Sequence, residues 1–115
     1  MDHVCIALPI LPGKSADARA FQKELDTTRK ADYTVSEARL GIPREYWFIA
    51  ELPTGDLLIG YFDAQDANAA LGAFIQSQDE FDLWFKAEVK NVTGLDLNNP
   101  PADMKFPELV STFEA

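Results

Sequence analysis

The stretch Arg44 to Asp63, REYWFIAELPTGDLLIGYFD, decides how this chain folds. Its side chains alternate on both sides of Pro53-Thr54-Gly55, the pattern of a β-hairpin. Pairing the strands across Thr54-Gly55 as a two-residue turn puts Tyr46, Phe48, Ala50, Leu52, Leu57, Ile59 and Tyr61 on one face. Trp47, Ile49, Leu58, Gly60 and Phe62 fall on the other. Both faces are apolar, so both need a cover, and the helices of so short a chain cover only one. The second cover is expected to be another copy of the protein.

Outward from the hairpin, His3 to Pro9 alternates Val4, Ile6 and Leu8 with His3, Cys5 and Ala7, and stops at Leu11-Pro12-Gly13, which predicts a strand. Ser15 is a plausible N-cap for a helix to about Arg29 that packs through Ala18, Phe21 and Leu25. Thr34-Val35-Ser36-Glu37 has the spacing of a capping box, and Gly41 closes that second, short helix just before Pro43. Asp66 caps a third helix carrying Ala67, Ala70, Leu71, Phe74 and Ile75. Asp79 caps a fourth, with Phe81, Trp84, Phe85 and Val92 as its packing stripe and Gly94 as its terminator. Leu95 to Pro101 reads as an extended connection, and Phe106 to Phe113, with Pro107 near its start, as an edge strand. Reduced to principal units this is βαββαβ, an α+β ferredoxin-like arrangement. Its four-stranded antiparallel sheet carries its helices on one face. Residues 1–115 are read as a single domain.

Composition narrows the function classes. Nineteen acidic against ten basic residues give a formal charge of −9, which repels phosphate backbones and supplies no basic stripe for nucleic acid or anionic lipid. The single cysteine, Cys5, excludes an intramolecular disulfide and the zinc patterns built on several thiolates. No apolar run approaches the roughly 18 residues of a membrane helix. The chain opens Met-Asp-His without the features of a secretory signal, so a reducing cytoplasm is the expected location. Asn91-Val92-Thr93 is then a chance glycosylation match.

Four segments carry a resemblance: Leu40-Gly41-Ile42-Pro43-Arg44-Glu45, Pro53-Thr54-Gly55-Asp56, Tyr61-Phe62-Asp63-Ala64, and Phe81-Asp82-Leu83-Trp84-Phe85 continuing to Thr93-Gly94-Leu95-Asp96. Over roughly residues 15 to 101 the chain resembles a family of small uncharacterised bacterial proteins with a dimeric α+β-barrel, ferredoxin-like fold. The resemblance implies a fold and a homodimer. It implies no mechanism, since the wider superfamily spans cofactor-free monooxygenases, isomerases, decarboxylases and haem-handling proteins.

With Val4, Ile6 and Leu8 turned toward the helices, the opposite side of the sheet presents Cys5, Tyr46, Phe48, Ile59 and Tyr61, the expected ligand-binding residues of a cavity between two facing sheets. Gly60 marks where a helix approaches the other side closely. His3 is the only histidine, and an imidazole is the commonest general acid or base, which makes it the catalytic candidate beside a structural role near the terminus. His3-x-Cys5 offers two ligands where a transition metal needs three or four, so no metal and no cofactor is expected. Cys5 reads as a small buried hydrophobe before a nucleophile. Arg39 and Arg44 either clamp an anion or make internal salt bridges, with Glu45 at hand. Trp84 and Phe85 belong to packing, and Asp63, Asp66, Asp79, Glu80 and Asp82 to helix starts and solubility. The expected function is a homodimer binding a small apolar or aromatic molecule between its sheets. The alternatives are a cofactor-free monooxygenase- or isomerase-like enzyme, and a structural or interaction module without a ligand site.

Overall fold

Pro53 and Thr54 make the hairpin connection in the computed structural model, which describes all 115 residues. Leu52 pairs directly with Gly55, so the turn sits one residue earlier than Thr54-Gly55 and Phe48 faces Ile59 instead of Tyr61. Proline's locked φ suits a loop position, and Gly55 takes a φ of 134° that a side chain would oppose. The partner shifts by two residues, an even number, so every side chain keeps its expected face.

The hairpin strands β2 (Arg44–Leu52) and β3 (Gly55–Ala64) are joined by β1 (Asp2–Pro9) on the far side of β3, giving an antiparallel sheet of order β1-β3-β2. The helices α1 (Ser15–Asp26), α2 (Lys30–Leu40), α3 (Ala67–Gln76) and α4 (Glu80–Thr93) complete the α+β chain. The sheet face bearing Leu8, Trp47, Leu58 and Phe62 is covered by helix residues, among them Phe21 and Leu25 of α1 and Phe85 and Val92 of α4. Phe85 sits at the centre, with Phe21, Phe74 and Trp47 ring centroids 5.1, 5.4 and 6.0 Å away. Gly60 faces Trp47 across the ladder, and a Cβ there would lie 2.7 Å from the indole ring. It is this ring, not a helix, that occupies the space the glycine leaves.

Caps that depend only on local sequence form as read. Asp66 accepts the Ala69 N–H at 3.1 Å, Asp79 accepts the Phe81 N–H at 3.1 Å, and Gly41 and Gly94 end their helices with φ of 74° and 82°. Two others do not. Ser15 lies inside α1 and donates its hydroxyl to Asp56 at 2.6 Å, tying the helix to the hairpin. Thr34 lies inside α2, which begins at Lys30, and its hydroxyl donates to the Lys30 carbonyl, so there is no capping box.

The closing segment is the main correction. Phe106 to Phe113 forms no strand, and the sheet has three strands where four were expected. After the turns around Pro100-Pro101, Met104 and Phe106 fold against the helix side of the domain. The chain then runs outward, leaving Phe113 90% exposed. Phe106 is thereby drawn, half-buried, against the cavity and Pro107 removes an amide donor next to it, so no edge ladder starts.

Candidate functional site

Two surfaces of the sheet gather chemically active groups. On the side without helices, the register aligns Cys5, Tyr61 and Tyr46 in one row and Ala7, Ile59 and Phe48 in the next. His3, Asp63 and Arg44 form a third row. The five expected binding residues and His3 therefore share one open face, with Tyr46 52% and Phe48 57% exposed.

At the polar end of that face His3 Nδ1 lies 2.5 Å from Asp63 Oδ1, and the Tyr61 hydroxyl donates to the same oxygen at 2.7 Å. Arg44 Nε is 3.3 Å from Asp63 Oδ2. The Tyr61 hydroxyl, His3 and the Arg44 charge hold the Asp63 carboxyl below the usual carboxylate range, and the same bond to Asp63 pushes the Tyr61 phenol up. His3 is thus oriented by a carboxylate, as a general base commonly is. Arg39, by contrast, pairs with Asp82, so the two arginines do not converge on one anion.

On the other side of the sheet lies an apolar cavity between sheet, helices and the closing segment. Ile6 of β1, Trp47 of β2 and Phe62 of β3 form its floor. Leu40 of α2, Leu71, Phe74 and Ile75 of α3, and Phe81 and Phe85 of α4 wall it, with Leu97, Met104 and Phe106 from the closing segment. Cys5, Tyr46, Phe48, Ile59 and Tyr61 do not line it. Among its sixteen lining residues only Glu37 and Glu45 are charged.

Those two carboxyl groups are unlike each other. Glu45 Oε2 accepts the Trp47 Nε1–H at 3.0 Å and a short hydrogen bond from the Tyr33 hydroxyl. Glu37 Oε2 is buried with no hydrogen-bond partner. Burial, then the negative charges of Glu45 and Asp82, push the Glu37 carboxyl up to about 9. Burial also raises Glu45, opposed by the two donors. At neutral pH Glu37 carries the proton and the Tyr33 and Trp47 donors favour charge on Glu45. A second, more open and polar cleft, edged by Lys30, Thr34 and Arg44, shares Glu37, Ile42 and Glu45 with the cavity wall.

Neither glutamate stood out as a site residue: Glu37 read as half of a capping box and Glu45 as a partner for arginine. Glu45 did leave a signal, since it alternates in phase with Trp47 and Ile49 and so occupies a core-facing position of β2.

No protein-family model and no curated protein matches the chain. Among solved structures, L-rhamnose mutarotase from Formosa agariphila superposes with a TM-score of 0.65 at 13% identity, covering 99% of this chain and all of that one. Tetracenomycin F2 cyclase from Streptomyces glaucescens, a type-II polyketide cyclase, superposes with a TM-score of 0.60 at 16% identity, covering 100% of this chain and 99% of that one. Both neighbours have dimeric α+β-barrel folds, and this chain shares with them an α+β arrangement, here with four helices and a three-stranded antiparallel sheet. At these identities the likeness is one of fold. No three His, Cys, Asp or Glu side chains converge as a metal site, and no helix is long and apolar enough to cross a membrane.

Proposed function

We propose that this protein binds a small organic molecule with a mainly apolar body in the cavity between its sheet and helices, acting as a cytoplasmic homodimer whose open sheet faces cover each other. The observation that carries this reading is the make-up of the cavity lining, apolar and interrupted at one place by two carboxyl groups, as in small-molecule sites; its free space is only about 70 Å³, so a ligand the size of a bicyclic ring enters by displacing Met104 and Phe106 of the closing segment. The two solved neighbours, by their names a sugar mutarotase and a polyketide cyclase, agree with a fold that hosts small-molecule chemistry.

Saturation-transfer NMR with the bicyclic hydrocarbon tetralin tests it. Binding is expected to the wild type and to be lost in Ala70→Leu, which fills the cavity from α3, with an unchanged circular dichroism spectrum. No binding, or equal binding in both proteins, overturns the reading.

The His3, Tyr61 and Asp63 cluster favours a second reading. In it a ligand sits between two facing sheets against Cys5, Tyr46, Phe48, Ile59 and Tyr61, with His3 as acid or base. Tetralin binding that survives Ala70→Leu but fails in Phe48→Asp selects this second site.

A further inference from the structure

We propose that Glu37 and Glu45 are a proton-transfer pair acting on a carbonyl compound lodged in the cavity, interconverting its keto and enol forms. This rests on the cavity reading above and deepens it to a substrate class.

The lining sets the shape of the ligand. An apolar wall rejects sugars and charged metabolites, because their polar groups would be buried without partners. The ligand therefore has an apolar ring or chain, and its single polar group faces the carboxyl pair. Glu37 Oε2 needs a partner that this chain does not supply, since a buried carboxyl oxygen with no hydrogen bond is costly. A ligand carbonyl oxygen satisfies it, accepting the proton that Glu37 carries. Glu45 Oε2 is held in place by the Tyr33 hydroxyl and the Trp47 indole, both donors, and these two bonds favour its charged form against the burial that opposes it.

The step balances on these groups alone. The Glu45 carboxylate takes a proton from the carbon next to the carbonyl, the C–H electron pair becomes the carbon–carbon double bond, and the carbonyl oxygen receives the Glu37 proton. The enol leaves Glu45 protonated and Glu37 ionised; reversal regenerates both. No oxidant or co-reactant enters. Acid and base on opposite ends of the same group lower the barrier together, an effect typically worth about 100- to 10,000-fold. The polar cleft that shares Glu37 and Glu45 gives the pair a route for proton exchange with water.

The test uses 2-tetralone, the ketone matching tetralin, in deuterated buffer. Loss of its α-proton NMR signal reports enolisation, and saturation transfer reports binding. Wild type is expected to accelerate exchange of the bound ketone at least about 100-fold over the free ketone. Glu37→Gln and Glu45→Gln should each abolish most of that acceleration while still binding it. Binding without accelerated exchange overturns the proton pair and leaves the cavity reading standing, as does full acceleration in both variants. Absence of binding by either molecule overturns both. Should Glu45→Gln fail to fold, Glu37→Gln decides, since its Oε2 holds no other part of the chain.

Discussion

Glu37 is a group whose ionisation the fold opposes. Its carboxyl titrates at about 9 in the folded chain against about 4.3 in an unfolded one. The folded state therefore keeps a proton that the unfolded state has released, and stability falls as pH rises from about 4.3 toward about 9. Glu37→Gln removes that slope. The variant should match the wild type near pH 4 and exceed it at pH 8 by several kcal/mol, with about 5 kcal/mol as the upper bound, read from urea denaturation midpoints at the two values. An equal difference at both pH values would count against the burial account. The residue scale is also where sequence reading was weakest. Face assignments for Cys5, Tyr46, Phe48, Ile59 and Tyr61 followed from period-2 alternation and match the register. Which carboxylates end up without water depends on how α2 lies over β2, and that is a tertiary matter no local pattern encodes.

Elements are joined by polar groups as well as by rings. Asp82 of α4 is fully buried, accepts from Ser36 of α2 at 2.5 Å and from Ser77 at 2.6 Å, and pairs with Arg39 of α2. Lys86, one turn further, donates to the carbonyls of Phe74, Ile75 and Ser77 at 2.9 to 3.1 Å and so caps the end of α3. Asp82→Ala leaves Arg39 and two hydroxyls without their acceptor and should lower stability by about 3 kcal/mol in a urea melt. A loss under about 1 kcal/mol would show the network to be incidental. Caps set by residues within the same turn, Asp66, Asp79, Gly41 and Gly94, were legible. Ser15 and Thr34 were not, because a hydroxyl that can cap can equally bond a distant carboxylate or the preceding turn. Asp82 was misplaced for the same reason: acidic residues near a helix start favour the dipole whether or not they are buried. The strand expected over Phe106 to Phe113 failed because Phe106 is drawn against the cavity, a destination invisible from composition.

At the scale of the molecule, the two-faced hairpin is the feature the sequence conveyed best. Helices cover one side, and the other exposes Tyr46 and Phe48. Large apolar patches on a surface are rare unless something binds them, so sedimentation should return twice the 12.8 kDa chain mass. Phe48→Asp, which puts a charge at the centre of that patch, should give a monomer with an unchanged far-ultraviolet spectrum. A wild type that stays monomeric at tens of micromolar would remove the partner from the account. The family resemblance finds no matching family model, and the fold alone is what the solved neighbours share with this chain.

Strand β2 is a party wall. Arg44, Tyr46 and Phe48 look out through it while Glu45 and Trp47 look in, so one backbone serves both the exterior sheet and the interior chamber. A molecule settling on one side and a second copy on the other would both bear on the same strand. A guest in the chamber that stiffened the strand for a second copy would, by reciprocity, be held more tightly by that copy by the same factor, and apparent affinity for tetralin should then climb as protein concentration is raised through the assembly midpoint.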